Sequence, residues 1–306
     1  MSFATQAKQD LCQMNVKKDC CRRSLLYGIL LFAVNFNENR IRLITESDDT
    51  ASLTLKLLRE LYGIEGNLYV TYKKQLPEDS ESQKSNKITV SVKADVMKIM
   101  SKFGYTTDDK AYGINAELFS CENCRTAFLR GAFLSSGLIT NPERSYHLEI
   151  PVRSKELAYE LVEMLKQSEI SARHGTRHSP DMVYIKSSEQ IENFLAYIGA
   201  SNALFEMMNS RILKEAKNDA NRLRNCDTAN LLKTVSASTQ QIEAIKKLLD
   251  NNKLGLLPSE LRETALKRLE FPELSIKEFG LVFDPPISKS GINHRLRKIM
   301  EFADNN

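Results

Sequence analysis

The chain has 306 residues, 42% hydrophobic and 27% charged, with a net charge of +4. That length overfills one comfortable core and fits two domains, and the composition excludes a disordered or fibrous chain. The most apolar run, Leu25–Val34, falls well short of the ~20 residues of a membrane span, and Met1–Asp10 has no signal-peptide core, so a cytoplasmic protein is expected.

The first predicted element is a helix entered through Cys21-Arg22-Arg23-Ser24-Leu25-Leu26-Tyr27-Gly28 and running to Val34, apolar nearly all round and therefore buried. A strand over Ile41–Thr45 and a helix over Ala51–Tyr62 follow, the helix carrying Leu53, Leu57 and Leu61 at i, i+4, i+8 spacing. Strands Leu68–Tyr72 and Ile88–Val92 come next, separated by the polar stretch Lys74–Asn86, which reads as a long flexible loop. A helix over Val96–Phe103 closes the unit.

The order then repeats. Cys124-Arg125-Thr126-Ala127-Phe128-Leu129-Arg130-Gly131 aligns with Cys21–Gly28 at an offset of 103 residues, matching at Cys, Arg, Leu and Gly. After it come strand Tyr146–Val152, helix Leu157–Lys166, strands Ser171–Gly175 and Met182–Lys186 about a turn at His178-Ser179-Pro180, and helix Ile191–Ile198. Two copies, about 20–105 and 123–200, would build one pseudo-two-fold body over residues 1–210. Small residues on the two lead helices, Gly28 and Ala33 in one and Gly131, Ala132, Ser135, Ser136 and Gly137 in the other, allow close backbone approach.

Six cysteines in a chain expected to stay in a reducing compartment point to free thiols. Cys121-x-x-Cys124 is half a zinc site. No second CxxC or histidine pair at finger spacing completes it, although Cys20 and Cys21 could supply the rest. The expectation is small buried hydrophobes, with no metal and no cofactor.

Residues 1–210 hold equal numbers of basic and acidic side chains, so the positive excess lies beyond them, where an acidic partner is expected. Residues 211–238 read as a polar helical linker and 239–306 as an all-α domain. In the latter, Ile242, Ile245, Leu248 and Leu249 mark one helix, and Leu261, Ala265 and Leu269 after Pro258-Ser259 mark another. Ser275-Ile276-Lys277-Glu278 has the form of a capping box, starting a short helix that must stop near Phe283 before Asp284-Pro285-Pro286. Ser288 then caps a last helix whose Ile292, Leu296 and Ile299 or Met300 point inward.

This is the layout of a helix-turn-helix. Between Ile287 and Met300 lie four basic residues, Lys289, Arg295, Arg297 and Lys298, and no acid. With Ser288, Ser290, Gly291, Asn293 and His294 they form the candidate DNA-contacting set. Asn293 suits adenine, Arg297 suits guanine or phosphate, and Gly291 would let the backbone come close.

The repeat resembles the two-copy LAGLIDADG homing-endonuclease fold: Leu129-Arg130-Gly131-Ala132-Phe133-Leu134-Ser135-Ser136-Gly137 matches the motif at its opening Leu, its Gly and its closing Gly. Leu26–Val34 matches less. In active members, the resemblance implies, the acid before the final Gly of each motif binds the divalent metal; here those positions hold Ala33 and Ser136, and the nearest acids, Glu38 and Glu143, lie beyond the helix ends. With the tail Ile287-Ser288-Lys289-Ser290-Gly291-Ile292-Asn293-His294-Arg295-Leu296-Arg297, the whole chain resembles the WhiA family. That resemblance implies an α+β, two-repeat LAGLIDADG-like domain before an all-α helix-turn-helix domain, sequence-specific binding of double-stranded DNA, and roles in cell division and chromosome segregation or sporulation. Another transcription factor or RNA polymerase would be a protein partner. A metal-dependent endonuclease and a nucleoid-associated interaction scaffold are the competing readings.

Overall fold

The computed structural model describes residues 2–73, 83–106, 112–176 and 181–305. They divide into two compact units, 1–214 and 215–306.

The first unit opens with a helix that the sequence reading did not anticipate, α1 (Phe3–Gln13), capped by Ser2 and burying Phe3, Ala7 and Leu11 at i, i+4, i+8 spacing. The first repeat then runs α2 (Asp19–Leu31), β1 (Asn35–Asn37), β2 (Arg40–Thr45), α3 (Asp48–Tyr62), β3 (Asn67–Lys73), β4 (Gln83–Val90) and α4 (Lys93–Lys102). The second runs α5 (Glu122–Ser136), β5 (Leu138–Ile139), β6 (Leu148–Pro151), α6 (Lys155–Gln167), β7 (Arg173–Thr176), β8 (Asp181–Ile185) and α7 (Ser188–Ile198). Each repeat forms an antiparallel four-stranded sheet, in the equivalent orders β1-β2-β4-β3 and β5-β6-β8-β7. The strands β1 and β5 add a member to each copy. At three and two residues they are too short to show alternation in sequence.

Register places matching apolar pairs on the core face of both sheets: Ile41 opposite Val90 and Leu43 opposite Ile88 in one, Leu148 opposite Ile185 and Ile150 opposite Val183 in the other. Ser47 and Ser154 cap the equivalent helices α3 and α6 by accepting from the amides of Thr50 and Leu157. Gly63 ends α3 and Gly199 ends α7 with φ of 65° and 88°, the left-handed geometry that favours glycine.

The centre of the unit is the contact of α2 with α5. A β-carbon on Gly28 would lie 2.1 Å from the carbonyl oxygen of Phe128, and one on Gly131 would lie 2.2 Å from that of Leu25. The two helices therefore touch backbone to backbone, as the small residues at those positions allow. Around them sit Leu25, Leu26, Ile29, Phe128, Leu129 and Phe133, all essentially inaccessible. Beside them the Tyr27 hydroxyl meets that of Tyr105 at 2.7 Å, receives the Asn115 amide at 2.8 Å and reaches the Gly113 carbonyl at 3.2 Å. Burial pushes the Tyr27 phenol up to about 12.

Several sequence-based boundaries are corrected. The lead helix stops at Leu31, because Phe32 caps it onto Gly28 and Leu30, and Val34 is exposed rather than buried. Gln83–Asn86, read as loop, belong to β4, where they pair with β3; residues 74–82 lie outside the described residues, as does the turn at His178-Ser179-Pro180. Val92 is an exposed N-cap of α4 and not the end of a strand.

A single helix, α8 (Ser201–Asp250), contains residues of both units and the whole of 211–238, the stretch expected to be a helical linker. Beyond it come α9 (Ser259–Glu270), α10 (Ile276–Gly280) and α11 (Lys289–Asp304). The inward residues of α8 in this unit are Ser238, Gln241, Ile245 and Leu248, at three- and four-residue spacing, whereas Leu249 faces out. Ile245 and Leu248 pack in a second core with Leu257, Ala265, Phe279, Phe283, Ile292, Leu296, Ile299 and Ala303.

Candidate nucleic-acid interface

The capping box at Ser275 is present with both of its bonds: Glu278 donates its amide to Ser275 Oγ, and the Ser275 amide reaches Glu278 Oε2 at 3.0 Å. The Ser275 hydroxyl, and after it the Ser275 amide, holds the Glu278 carboxyl below its ordinary range. The short helix ends at Gly280, three residues earlier than Phe283, because Leu281 turns out and the chain closes on itself. The Ile287 amide donates to the Gly280 carbonyl at 2.9 Å, and a β-carbon on Gly280 would stand 2.2 Å from the Ile287 oxygen. Phe279 and Phe283 pack edge to face at 5.4 Å beneath this turn. Gly280 is thus the small residue that the turn requires.

Ser288 starts α11 by accepting from the Gly291 amide at 3.2 Å. Ile292, Leu296, Ile299 and Ala303 are buried, which settles the inward position on Ile299 rather than Met300. Ser288, Lys289 and Ser290 at the helix start, and Asn293, His294, Arg297 and Lys298 along it, are exposed. Gly291 is half-buried, and a β-carbon there would press on the Ile287 methyl at 2.8 Å. Arg295 differs from the other cations. Its guanidinium is 22% exposed and bonds Glu260 of α9 at 3.0 Å, so it ties α11 to its neighbour. Arg297 lies 3.6 Å from Glu301 and 3.4 Å from His294 Nδ1 but remains 68% exposed, a weak solvent-screened pair that a phosphate can displace.

Two supports of this helix had no sequence signal. Arg268 is 1% exposed. It bonds Gln241 Oε1 at 3.0 Å and the Leu274 carbonyl at 2.7 Å, and its guanidinium lies over the Phe279 ring at 5.1 Å. Lys247 donates to the Ala303 carbonyl at 2.6 Å, at the negative end of α11. A buried arginine reads in sequence like any surface cation.

In the first unit, Ala33 and Ser136 line one cavity of about 580 Å³ at the carboxyl ends of α2 and α5. A divalent metal there would need carboxylates. Ala33 has no polar side-chain atom, and Ser136 donates its hydroxyl to the Pro151 carbonyl at 3.2 Å. The cavity is furnished with cations instead. Arg153 donates to the Leu31 carbonyl at 2.8 Å and the Phe36 carbonyl at 2.7 Å, and Lys8 lines the same wall, with Glu46 the sole acid among the lining residues. These residues do not fit a hard divalent cation. Glu38 and Glu143 are exposed and do not line the cavity.

Burial pulls the Lys8 ammonium down to about 8 from an ordinary 10.5, against the opposing pull of Glu46. Between those two pH values the unfolded chain holds a proton that the folded chain does not, so stability rises with pH across the window. Lys8→Met is expected to stabilise the first unit by about 1–2 kcal/mol at neutral pH, after allowance for its partial exposure, and to flatten that rise. Urea unfolding across the window checks it; a variant whose profile parallels the wild type refutes it.

The cysteines expected to be scattered hydrophobes are brought together instead. Cys20 and Cys21 at the start of α2 meet Cys121, the N-cap of α5, and Cys124 in its first turn, and all four sulfurs lie within 4.8 Å of one another. Hydrogen bonds from Cys21 and Cys124 hold the Cys121 thiol down to about 7, while burial pushes Cys21 up.

Together these elements define a class: a two-repeat LAGLIDADG-like body, without the metal carboxylates of its motifs, joined to a C-terminal helix-turn-helix. The family model for the WhiA C-terminal HTH domain matches residues 220–303, and that for the WhiA LAGLIDADG-like domain matches residues 125–217. The chain is 37% identical to "Probable cell division protein WhiA" of Desulforamulus reducens, covering 99% of this chain and 96% of that protein. It is 38% identical to the protein of that name from Clostridium botulinum strain Eklund 17B, over 99% and 98%. The crystal structure of full-length DUF199/WhiA from Thermatoga maritima superposes with a TM-score of 0.59 at 26% identity, covering 100% of this chain and 99% of that one. The chain belongs to the WhiA family. Among the described residues, no helix is long and apolar enough to cross a membrane.

Proposed function

We propose that this chain is a DNA-binding regulator acting in cell division, that it reads double-stranded DNA chiefly through α11, and that it does not cut it. The carrying observation is the two-sided character of α11: Ile292, Leu296 and Ile299 are locked into the second core, while Asn293, His294, Arg297 and Lys298 stand exposed on the opposite side. A recognition helix needs that division, since the buried side fixes the angle at which the polar side enters the major groove.

The second sheet of the body is less suited to phosphate than α11. On the solvent side of β6, Glu149 pairs with His147 at 3.0 Å, placing a carboxylate where a duplex would lie. Absence of cleavage is supported by Ala33, Ser136, Lys8 and Arg153 at the former metal position. Nicking by pure protein with Mg²⁺ or Mn²⁺, abolished by changing Glu38, Glu46 or Glu143, would overturn that half of the reading. The cell-division role is carried over from the relatives' names, and an association with the nucleoid follows from DNA binding. RNA polymerase or another transcription factor is the protein partner that such a role calls for.

Point substitutions test the interface better than truncation near residue 225, which would sever α8. Chromatin-captured fragments and scrambled controls, titrated with the full chain, give the comparison. Asn293→Ala is expected to weaken the captured fragments by about 10-fold or more while leaving scrambled DNA unchanged. Lys298→Ala should weaken both alike and lower the slope of log affinity on log salt by about one. Normal binding by a triple variant of Asn293, Arg297 and Lys298 would remove α11 as the reader.

A further inference from the structure

We propose that Cys20, Cys21, Cys121 and Cys124 bind one structural zinc(II) ion that staples the two repeats together at the amino-terminal ends of their central helices. Cys121 Sγ stands 3.7 Å from that of Cys20 and 3.5 Å from those of Cys21 and Cys124. A tetrahedral zinc with bonds of about 2.3 Å to sulfur sets its ligands about 3.8 Å apart, so the three distances from Cys121 need adjustment of a few tenths of an ångström, and no other pair of the four exceeds 4.8 Å. A disulfide would need about 2.05 Å, and all six cysteines are free thiols here.

The donor set selects the metal. Four soft thiolates in a tetrahedron suit zinc and exclude magnesium or calcium. The compactness of the group, with every sulfur within 4.8 Å of the others, fits one ion, because a two-iron cluster holds its outer thiolates further apart.

The surroundings accommodate a dianionic tetrathiolate. The positive amino-terminal ends of α2 and α5 both face the sulfurs, and the Asn123 amide donates to Cys121. Beside Cys20 a cavity of about 130 Å³ is lined by Arg23 and Lys102, with Glu117 as the opposing charge. Each repeat supplies two ligands, so the ion would cross-link halves of the body that are 100 residues apart in sequence.

The two ends of the central helix pair thus carry opposite chemistry. At the carboxyl ends, cations and Ala33 replace the carboxylates of a hard-metal site. At the amino ends, a soft-metal site holds together the backbone contact at Gly28 and Gly131.

The full chain, purified with a thiol reductant and no added metal, is assayed for metal content and for zinc release on titration with an organomercurial. About one zinc per chain is expected, released as four thiols react. Cobalt(II) exchanged into the same protein should show the intense visible bands of a tetrahedral tetrathiolate. Cys124→Ser should lose the metal and Cys226→Ser, on exposed α8, should keep it. Because Cys124→Ser could misfold, the cobalt spectrum of the unaltered chain decides independently. Chelation should lower the melting temperature of the first unit by about 10 °C or more. Zinc below about a tenth per chain, stoichiometric iron instead, a weak octahedral cobalt spectrum, or a Cys121–Cys124 disulfide in freshly reduced protein would each overturn the proposal.

Discussion

Gly131→Ala should lower the melting temperature of the first unit by about 4–8 °C, and Gly131→Val should prevent its folding. The added β-carbon would stand 2.2 Å from the Leu25 oxygen, 2.8 Å from the Ile29 nitrogen and 3.1 Å from the Gly28 α-carbon. All three are backbone atoms, so no side chain can rotate away and α2 and α5 must move apart. Separation loosens contacts along the whole helix pair, since the interior is close-packed and dispersion falls steeply with distance. Overpacking against backbone costs about 3 kcal/mol, the upper end of the usual range, partly offset by the ~1 kcal/mol that alanine gains over glycine in a helix. For a unit of this size each kcal/mol moves the midpoint by about 2–4 °C. Gly255→Ala is the control, because nothing lies within 4 Å of its β-carbon position. Circular dichroism melts decide it, and equal midpoints for Gly131→Ala and Gly255→Ala would remove the backbone contact as the organising feature of the body.

Arg268→Leu should cost the second unit about 3–5 kcal/mol, enough to unfold much of it at 37 °C and to abolish DNA binding without touching DNA. The substitution strands Gln241 Oε1 and the Leu274 carbonyl, both bonded by Arg268, and removes the cation from the face of Phe279. A buried acceptor left without its donor pays its full desolvation cost. Burial lowers the pKa of the guanidinium, so the site already bears a cost for holding this charge, and its neighbours offset it only while their geometry persists. Gln241→Leu on the Arg268→Leu background removes one stranded acceptor and should recover part of the loss, an expected coupling of about 1–2 kcal/mol. Additive costs would show that Arg268 acts through packing alone. An unchanged melt for Arg268→Leu would show that it does not brace the helix-turn-helix.

On the proposed reading, the two sides of α11 have separable effects. Asn293 and Lys298 stand on its exposed side, so their loss should leave the melt of the second unit intact while changing DNA binding. Arg268 and Gly280 lie beneath it, and their loss should change both together.

Much of this was legible in the chain because its causes are local. Helical spacing of Leu157, Leu161 and Leu165 forecasts α6, alternation at Ile88 and Val90 forecasts β4, and the Ser275–Glu278 and Ser288 caps mark the starts of α10 and α11 within a residue. The internal repeat and the small residues at Gly28 and Gly131 likewise announced a paired body, since a face with no side chains is written directly in residue type. Misjudged ends, such as Val34 and Gln83–Asn86, lie where tertiary pairing and capping outweigh local pattern.

What the sequence determined by itself, then, was the set of elements, their duplication, the loss of carboxylates at Ala33 and Ser136, and the polar face of α11. Tertiary structure alone decided which cations stay available and which are spent: Arg268 and Arg295 look like Arg297 in sequence, yet one is buried and one is bonded to Glu260. It also decided the fate of the cysteines. Cys20 and Cys21 lie 100 residues or more from Cys121, and only the backbone contact of α2 with α5 brings their sulfurs within reach. The physical reason is the same in both cases: a side chain's charge and ligand chemistry are local properties, whereas its partners and its exposure to water are set by elements far away in the chain.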